Sequence, residues 1–170
     1  MINLPKGVNL NDLLQFLRKT GLQSSSILRS YHDGSIPLFK TNDNLSINKN
    51  LKDPVTAADL TVNKLFLDEF ISFYPSITWN IVTEENSKDI KTKKFINDWT
   101  WLIDPLDGTK DFIQKTGEYA VHVALLFKNK PILGMVLLPS LREIWFGLEG
   151  IGTWKENEGS PVKIDFQKCP

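Results

Sequence analysis

The sequence predicts an α+β protein, with helices packed on a mainly antiparallel sheet, and three observations carry that reading. The first part of the chain spaces its leucines at helical intervals. The later part is a run of short apolar segments cut by tight polar connections. The two patterns follow one another instead of alternating, which argues against a parallel βαβ sheet.

Leu10, Leu13, Leu14 and Leu17, then Ile27 and Leu28, predict one or two helices over about residues 9–31, with Gly21 as a point of interruption. Residues 33–53 are rich in Asn, Ser, Gly and Lys and read as an exposed loop of a length that commonly serves function. "TAADLTVNKLFLDEFISFYP" predicts a helix carrying Leu60, Leu65, Leu67, Phe70 and Ile71, stopped by Pro75. "ITWNIVTEE" reads as a strand ending in two glutamates, 87–98 as a polar connection, and Trp99 to Pro105 as a second strand. "EYAVHVALLF", "KPILGMVLLP" and "REIWFGLE" read as three successive strands, and Gly150, Gly152, Trp154 and Val162 suggest one or two more. His122 alternates with apolar neighbours and reads as structural. The last strands run into "FQKCP" with no closing helix, leaving a sheet edge. That predicts that 1–170 is a single, truncated lobe.

The 170 residues are 41% hydrophobic and 24% charged, the composition of an ordinary soluble globular domain. Twenty basic residues balance twenty acidic ones, so no overall field draws nucleic acid or an anionic membrane, and an anionic ligand has to be held locally. Cys169 is the one cysteine, which excludes an internal disulfide and a thiolate metal cluster and fits a reducing, cytoplasmic compartment. The N-terminus lacks the pattern of a secretory signal, and no apolar run is long enough to span a bilayer.

Four acidic features stand at the ends of predicted elements: Asp59, the pair Glu84-Glu85, Asp104 and Asp107. Singly, each has a plain structural reading. Asp59 completes a capping box with Thr56, Glu84-Glu85 suits a solvated strand end, and Asp104-Pro105 and Asp107-Gly108 are turn dipeptides. Those readings predict no relation among the sites. Element ends can converge, and converging carboxylates without cationic partners repel one another. A hard divalent cation such as Mg²⁺ compensates that repulsion through oxygen ligands.

In this order along the chain, "DPVTAAD", "VTEEN" and "WLIDPLDGTKDF" resemble the Mg²⁺-dependent, lithium-sensitive phosphatase superfamily of inositol monophosphatase, over Asp53 to about Trp154. "PVTAAD" and "DGTKDF" look like its 3′(2′),5′-bisphosphate nucleotidase branch. The resemblance implies a layered α/β sandwich of the inositol monophosphatase and sugar phosphatase type. This chain would be the N-terminal metal- and phosphate-binding lobe, with the C-terminal lobe and its substrate-reading residues absent. It implies one Mg²⁺ on Glu84, Asp104 and the backbone carbonyl of Leu106, a second on Asp104 and Asp107, and a third reached by Asp59 through water. Asp107 and the amides of Gly108 and Thr109 would receive the phosphate, and Pro105 would fix the backbone between the two aspartates. Glu84 and the Thr109 hydroxyl, with Asp59 nearby, would act on the attacking water in a hydrolysis without a covalent intermediate.

The implied reaction takes a small phosphorylated molecule, 3′-phosphoadenosine 5′-phosphate, to AMP and phosphate, and lithium would inhibit it. An inositol monophosphatase or related sugar phosphatase is the alternative. From another class comes an inactive lobe serving as a binding or assembly module. Dimers are common among such relatives, so a homodimer is the implied assembly.

Overall fold

The computed structural model describes residues 4–36, 56–86 and 95–159. Helix α1 spans Leu10–His32 and starts at Asn9, whose Oδ1 accepts the amide of Asn11 at 2.8 Å. Asn9 thereby satisfies an otherwise orphaned N–H of the first turn. Gly21 does not interrupt α1. A Cβ there would lie 3.3 Å from Cε of Met135, so the glycine lets the helix lie close to the sheet. Asp33 caps α1, whereas 37–53, the remainder of the predicted loop, lies outside the described residues, as do Val162 and Cys169.

Helix α2 spans Ala57–Phe73 and opens on the expected capping box of Thr56 and Asp59. Its buried face is Ala58, Val62, Phe66 and Phe70 at four-residue spacing. The predicted helix forms, and of the apolar residues noted in its sequence Phe70 is buried while Ile71 is 69% exposed. Helix α2 is apolar on most sides, and such a pattern does not by itself choose a face.

Six strands follow: β1 (Asn80–Thr83), β2 (Trp99–Asp107), β3 (Ala120–Phe127), β4 (Lys130–Leu138), β5 (Glu143–Leu148) and β6 (Gly152–Asn157). They form one sheet in the order β1-β2-β3-β4-β5-β6. All neighbours are antiparallel except β1 and β2, which run parallel with Thr83 opposite Ile103. The expected mainly antiparallel α+β layering is therefore what forms. A short helix, α3 (Thr109–Gln114), leaves β2 at once. Lys128 and Asn129 join β3 to β4 with positive φ at both positions, the two-residue hairpin that matches strand twist.

Helices α1 and α2 cover one face of the sheet. Ring contacts run from Phe16 on α1 to Phe70 on α2 at 4.8 Å and from Phe70 to Trp101 on β2 at 4.9 Å. At the far edge Arg18 reaches Glu156 on β6 with Nε–Oε2 2.5 Å, and Glu156 also accepts Nε1 of Trp154 at 2.9 Å. Because side chains alternate along a strand, burying Trp101 and Ile103 against the helices turns Leu102 and Asp104 to the opposite face. Among the described residues no helix is long and apolar enough to cross a membrane.

Packing of α2 gives the first prediction. Phe66→Ala should cost about 3–5 kcal/mol through an unfilled cavity, whereas Ile71→Ala should stay within about 0.5 kcal/mol. Urea denaturation of both variants checks this, and comparable losses would contradict the assigned buried face.

Candidate active site

Parallel pairing of β1 with β2 brings the first two carboxylates together. The amide of Glu84, one residue past β1, donates to the carbonyl of Ile103 at 3.1 Å. Glu84 is thus laid beside Asp104, the residue after Ile103. Their side chains share a hydrogen bond, which requires a proton on one of the two. Burial, the Asp104 charge and that hydrogen bond push the Glu84 carboxyl up to about 7, with Glu85 and Asp59 adding repulsion. Asp104 is raised as well, chiefly by burial, and the Leu106 amide on its Oδ1 at 3.1 Å offsets part of this.

Asp104 and Asp107 are three residues apart, an odd spacing that would send them to opposite faces of a regular strand. A bulge prevents this. Asp104 is opposite His122 and Asp107 is opposite Ala120, so three steps along β2 match two along β3. Pro105 and Leu106 fill the bulge and are buried, while Asp107 is exposed. The expected break after Pro105 is therefore an irregularity within a strand that continues to Asp107.

Gly108 turns the chain into α3 with φ of +79°, and a Cβ there would lie 2.6 Å from the carbonyl oxygen of Glu118. Both constraints call for glycine. The Thr109 hydroxyl lies 3.0 Å from the carbonyl oxygen of Leu106 and 3.3 Å from Oδ1 of Asp59. Asp59 is 3% exposed, and its Oδ2 accepts the Thr56 amide at 2.8 Å and the Thr56 hydroxyl at 2.5 Å. Burial raises its carboxyl against the opposing pull of those bonds. Asp59 is thus the helix cap that its sequence context suggests and also a neighbour of Thr109. Its capping role did not exclude the other.

One pair of these carboxylates, Glu84 and Asp104, is in contact. Among the described residues no group of three or more His, Cys, Asp or Glu side chains already stands as a metal site. The donor chemistry nevertheless fits a hard divalent cation. Every candidate ligand offers oxygen, and the two acids at the centre are raised chiefly by burial, with Asp104 adding to Glu84 and Asp107 adding to Asp104.

His122 is a correction. It is not a core residue, since its side chain is 49% exposed and Nε2 lies 3.6 Å from Oδ2 of Asp107. Period-two alternation held the signal: with Val121 and Val123 buried, His122 has to share the outer face with Asp104. It lines both hollows at the site. One, of about 420 Å³, includes Glu84, Asp104, Leu102 and Val136. The other, of about 670 Å³, includes Asp107, Tyr119, Ser140 and Leu141.

Helices on one face of a mainly antiparallel six-stranded sheet are the layering that this chain shares with solved IMPase structures. The Thermotoga maritima IMPase superposes with a TM-score of 0.65 at 26% identity, covering 91% of this chain and 54% of that one. A calcium-bound IMPase family protein from Staphylococcus aureus shares the fold at a TM-score of 0.70 and 18% identity, over 87% of this chain and 51% of that one. The inositol monophosphatase family model matches residues 9–169, and the chain belongs to that family. The 3′(2′),5′-bisphosphate nucleotidase CysQ of Aggregatibacter actinomycetemcomitans is 32% identical over 154 residues, which are 91% of this chain and 54% of CysQ. The chain spans about half the length of the curated relatives it matches.

The raised acids give a pH prediction for the metal-free protein. A carboxyl raised to about 7 when folded holds a proton that the unfolded chain, near 4.5, has released. Stability therefore falls as pH rises from about 4.5 to 7 and levels off above it. Thermal melts in a chelator should show this slope in the wild type and a flatter one in Glu84→Gln. Equal slopes would contradict the assignment.

Proposed function

We propose that the chain is the metal- and phosphate-binding lobe of a Mg²⁺-dependent phosphomonoester hydrolase acting on 3′-phosphoadenosine 5′-phosphate. The observation that carries this reading is the Glu84–Asp104 contact beside Asp107, a pair of acids raised chiefly by burial and adjoining a glycine-initiated turn. The match to CysQ over most of the chain supports the choice of substrate. The Thermotoga maritima IMPase favours an inositol or sugar phosphate as the second reading.

In the proposal Glu84, Asp104 and the Leu106 carbonyl hold one cation, Asp104 and Asp107 hold a second, and Asp59 serves a third through water. Bound Mg²⁺ would neutralise the carboxylates and polarise the phosphoryl oxygens. The chain's own residues do the rest. Asp107 bounds the phosphate on one side, and the amides of Gly108 and Thr109 would donate to its oxygens. The Thr109 hydroxyl, held between Leu106 and Asp59, is fixed in position to orient a water with Glu84. The phosphorus–oxygen ester bond breaks as water oxygen bonds phosphorus. The proton that the water loses passes toward Glu84 and on to the departing 3′ oxygen, which leaves as a hydroxyl. Residues that read the nucleoside are proposed to belong to a part of the protein beyond this lobe.

Phosphate release from 3′-phosphoadenosine 5′-phosphate, an inositol monophosphate and a sugar phosphate tests the reading. The bisphosphate should be preferred, with Mg²⁺ required and lithium inhibitory. Asp104→Asn should lose at least ~100-fold while its fold, followed by circular dichroism, is retained. Hydrolysis of the inositol or sugar ester with none of the bisphosphate would move the assignment to the second reading. Unfolding of Asp104→Asn would make Asp104 a turn residue.

A further inference from the structure

We propose that His122 is a positioning residue that holds the Asp107 carboxylate in the orientation a cation needs. The inference rests on the metal reading above and extends it to a residue on the neighbouring strand.

Asp107 is an exposed candidate ligand. Its side chain is 60% exposed, so burial does not choose its rotamer. It stands at the far end of the bulge, where the regular ladder between β2 and β3 is interrupted. A free carboxylate there can swing into solvent, away from Asp104. His122 is placed to prevent this. It sits directly opposite Asp104 across the β2–β3 pair, at the separation where side chains interact. Its Nε2 approaches Oδ2 of Asp107 to 3.6 Å. That gap closes to a hydrogen bond with a shift of a few tenths of an ångström. A bond to Oδ2 leaves Oδ1 for the cation.

Two further observations favour this role over a packing one. His122 is half-exposed, so the core does not need it. Among the described residues lining the two hollows, it is also the only one whose side chain bears nitrogen. The other polar side chains there are carboxylates and hydroxyls, so His122 is the nitrogen donor available to a carboxylate at this place. Groups that orient a metal-binding carboxylate in this way typically change metal affinity 10–100-fold when removed.

Calorimetric titration with Mg²⁺ tests the inference on wild type, His122→Leu, His122→Gln, Asp107→Asn and the double variant H122L/D107N. His122→Leu keeps the bulk and loses the donor, whereas His122→Gln keeps an N–H near the position of Nε2. The expected result is Mg²⁺ affinity about tenfold weaker in His122→Leu and within about threefold of wild type in His122→Gln. In the Asp107→Asn background, His122→Leu should add no further loss, because the two residues act as one unit. Melting temperatures should stay together across the His122 variants, as suits an exposed position.

Affinity within twofold of wild type in His122→Leu would overturn the inference. So would a His122→Gln variant as weak as His122→Leu, or losses that add in the double variant. Each of those results leaves the metal reading intact. A wild-type chain that binds no Mg²⁺ would overturn both.

Discussion

The extra residue in β2 between Asp104 and Asp107 is the constraint on which the site depends. An unbulged strand would place these two carboxylates on opposite faces, one under the helices and one toward solvent. Three steps on β2 set against two on β3 bring both beside His122 and deliver the chain to Gly108 at the angle that starts α3. The bulge can be this local because both of its flanks are pinned. Upstream, Trp101 and Ile103 are locked among the helices, and downstream Phe112 of α3 is fully buried. Strain or slip of one residue in β2 would move each side chain to the other face.

The same pinning explains why the acids are tolerated. Glu84 and Asp104 are placed by backbone pairing of β1 and β2, and their side chains then share a hydrogen bond. The core dictates the register, and the burial it imposes on the two acids shows as raised proton affinity. Such an arrangement lowers stability when no cation is present, and it persists because the buried aromatic contacts outweigh it. Proteins hold strained or repelling groups at sites of function on a frame that overdetermines them.

Much of this was legible in the sequence. The helical spacing of leucines, the capping box at Thr56 and the run of short apolar segments map onto α1, α2 and β3 to β5. The acids were found because each ends an element. What escaped was pairing. Sequence does not state that β1 lies parallel to β2, and that parallel register is what makes Glu84 and Asp104 neighbours. The bulge escaped for a related reason, since Pro105 and Gly108 read as a strand end when the ladder in fact continues past the proline. His122 was read through its apolar neighbours, although their alternation implied its exposure. On α2, the choice of Phe66 over Ile71 as a buried residue depends on which side meets α1 and β2.

The central claim is that the carboxylates around the bulge form a cation cradle. Crystals soaked with Mn²⁺, a hard ion suited to octahedral oxygen sites, test it most directly through anomalous scattering. The account predicts a peak within coordination distance of Glu84 and Asp104, with Asp107 turned toward the cation cluster. Clear density for all three side chains with no anomalous peak among them would contradict it.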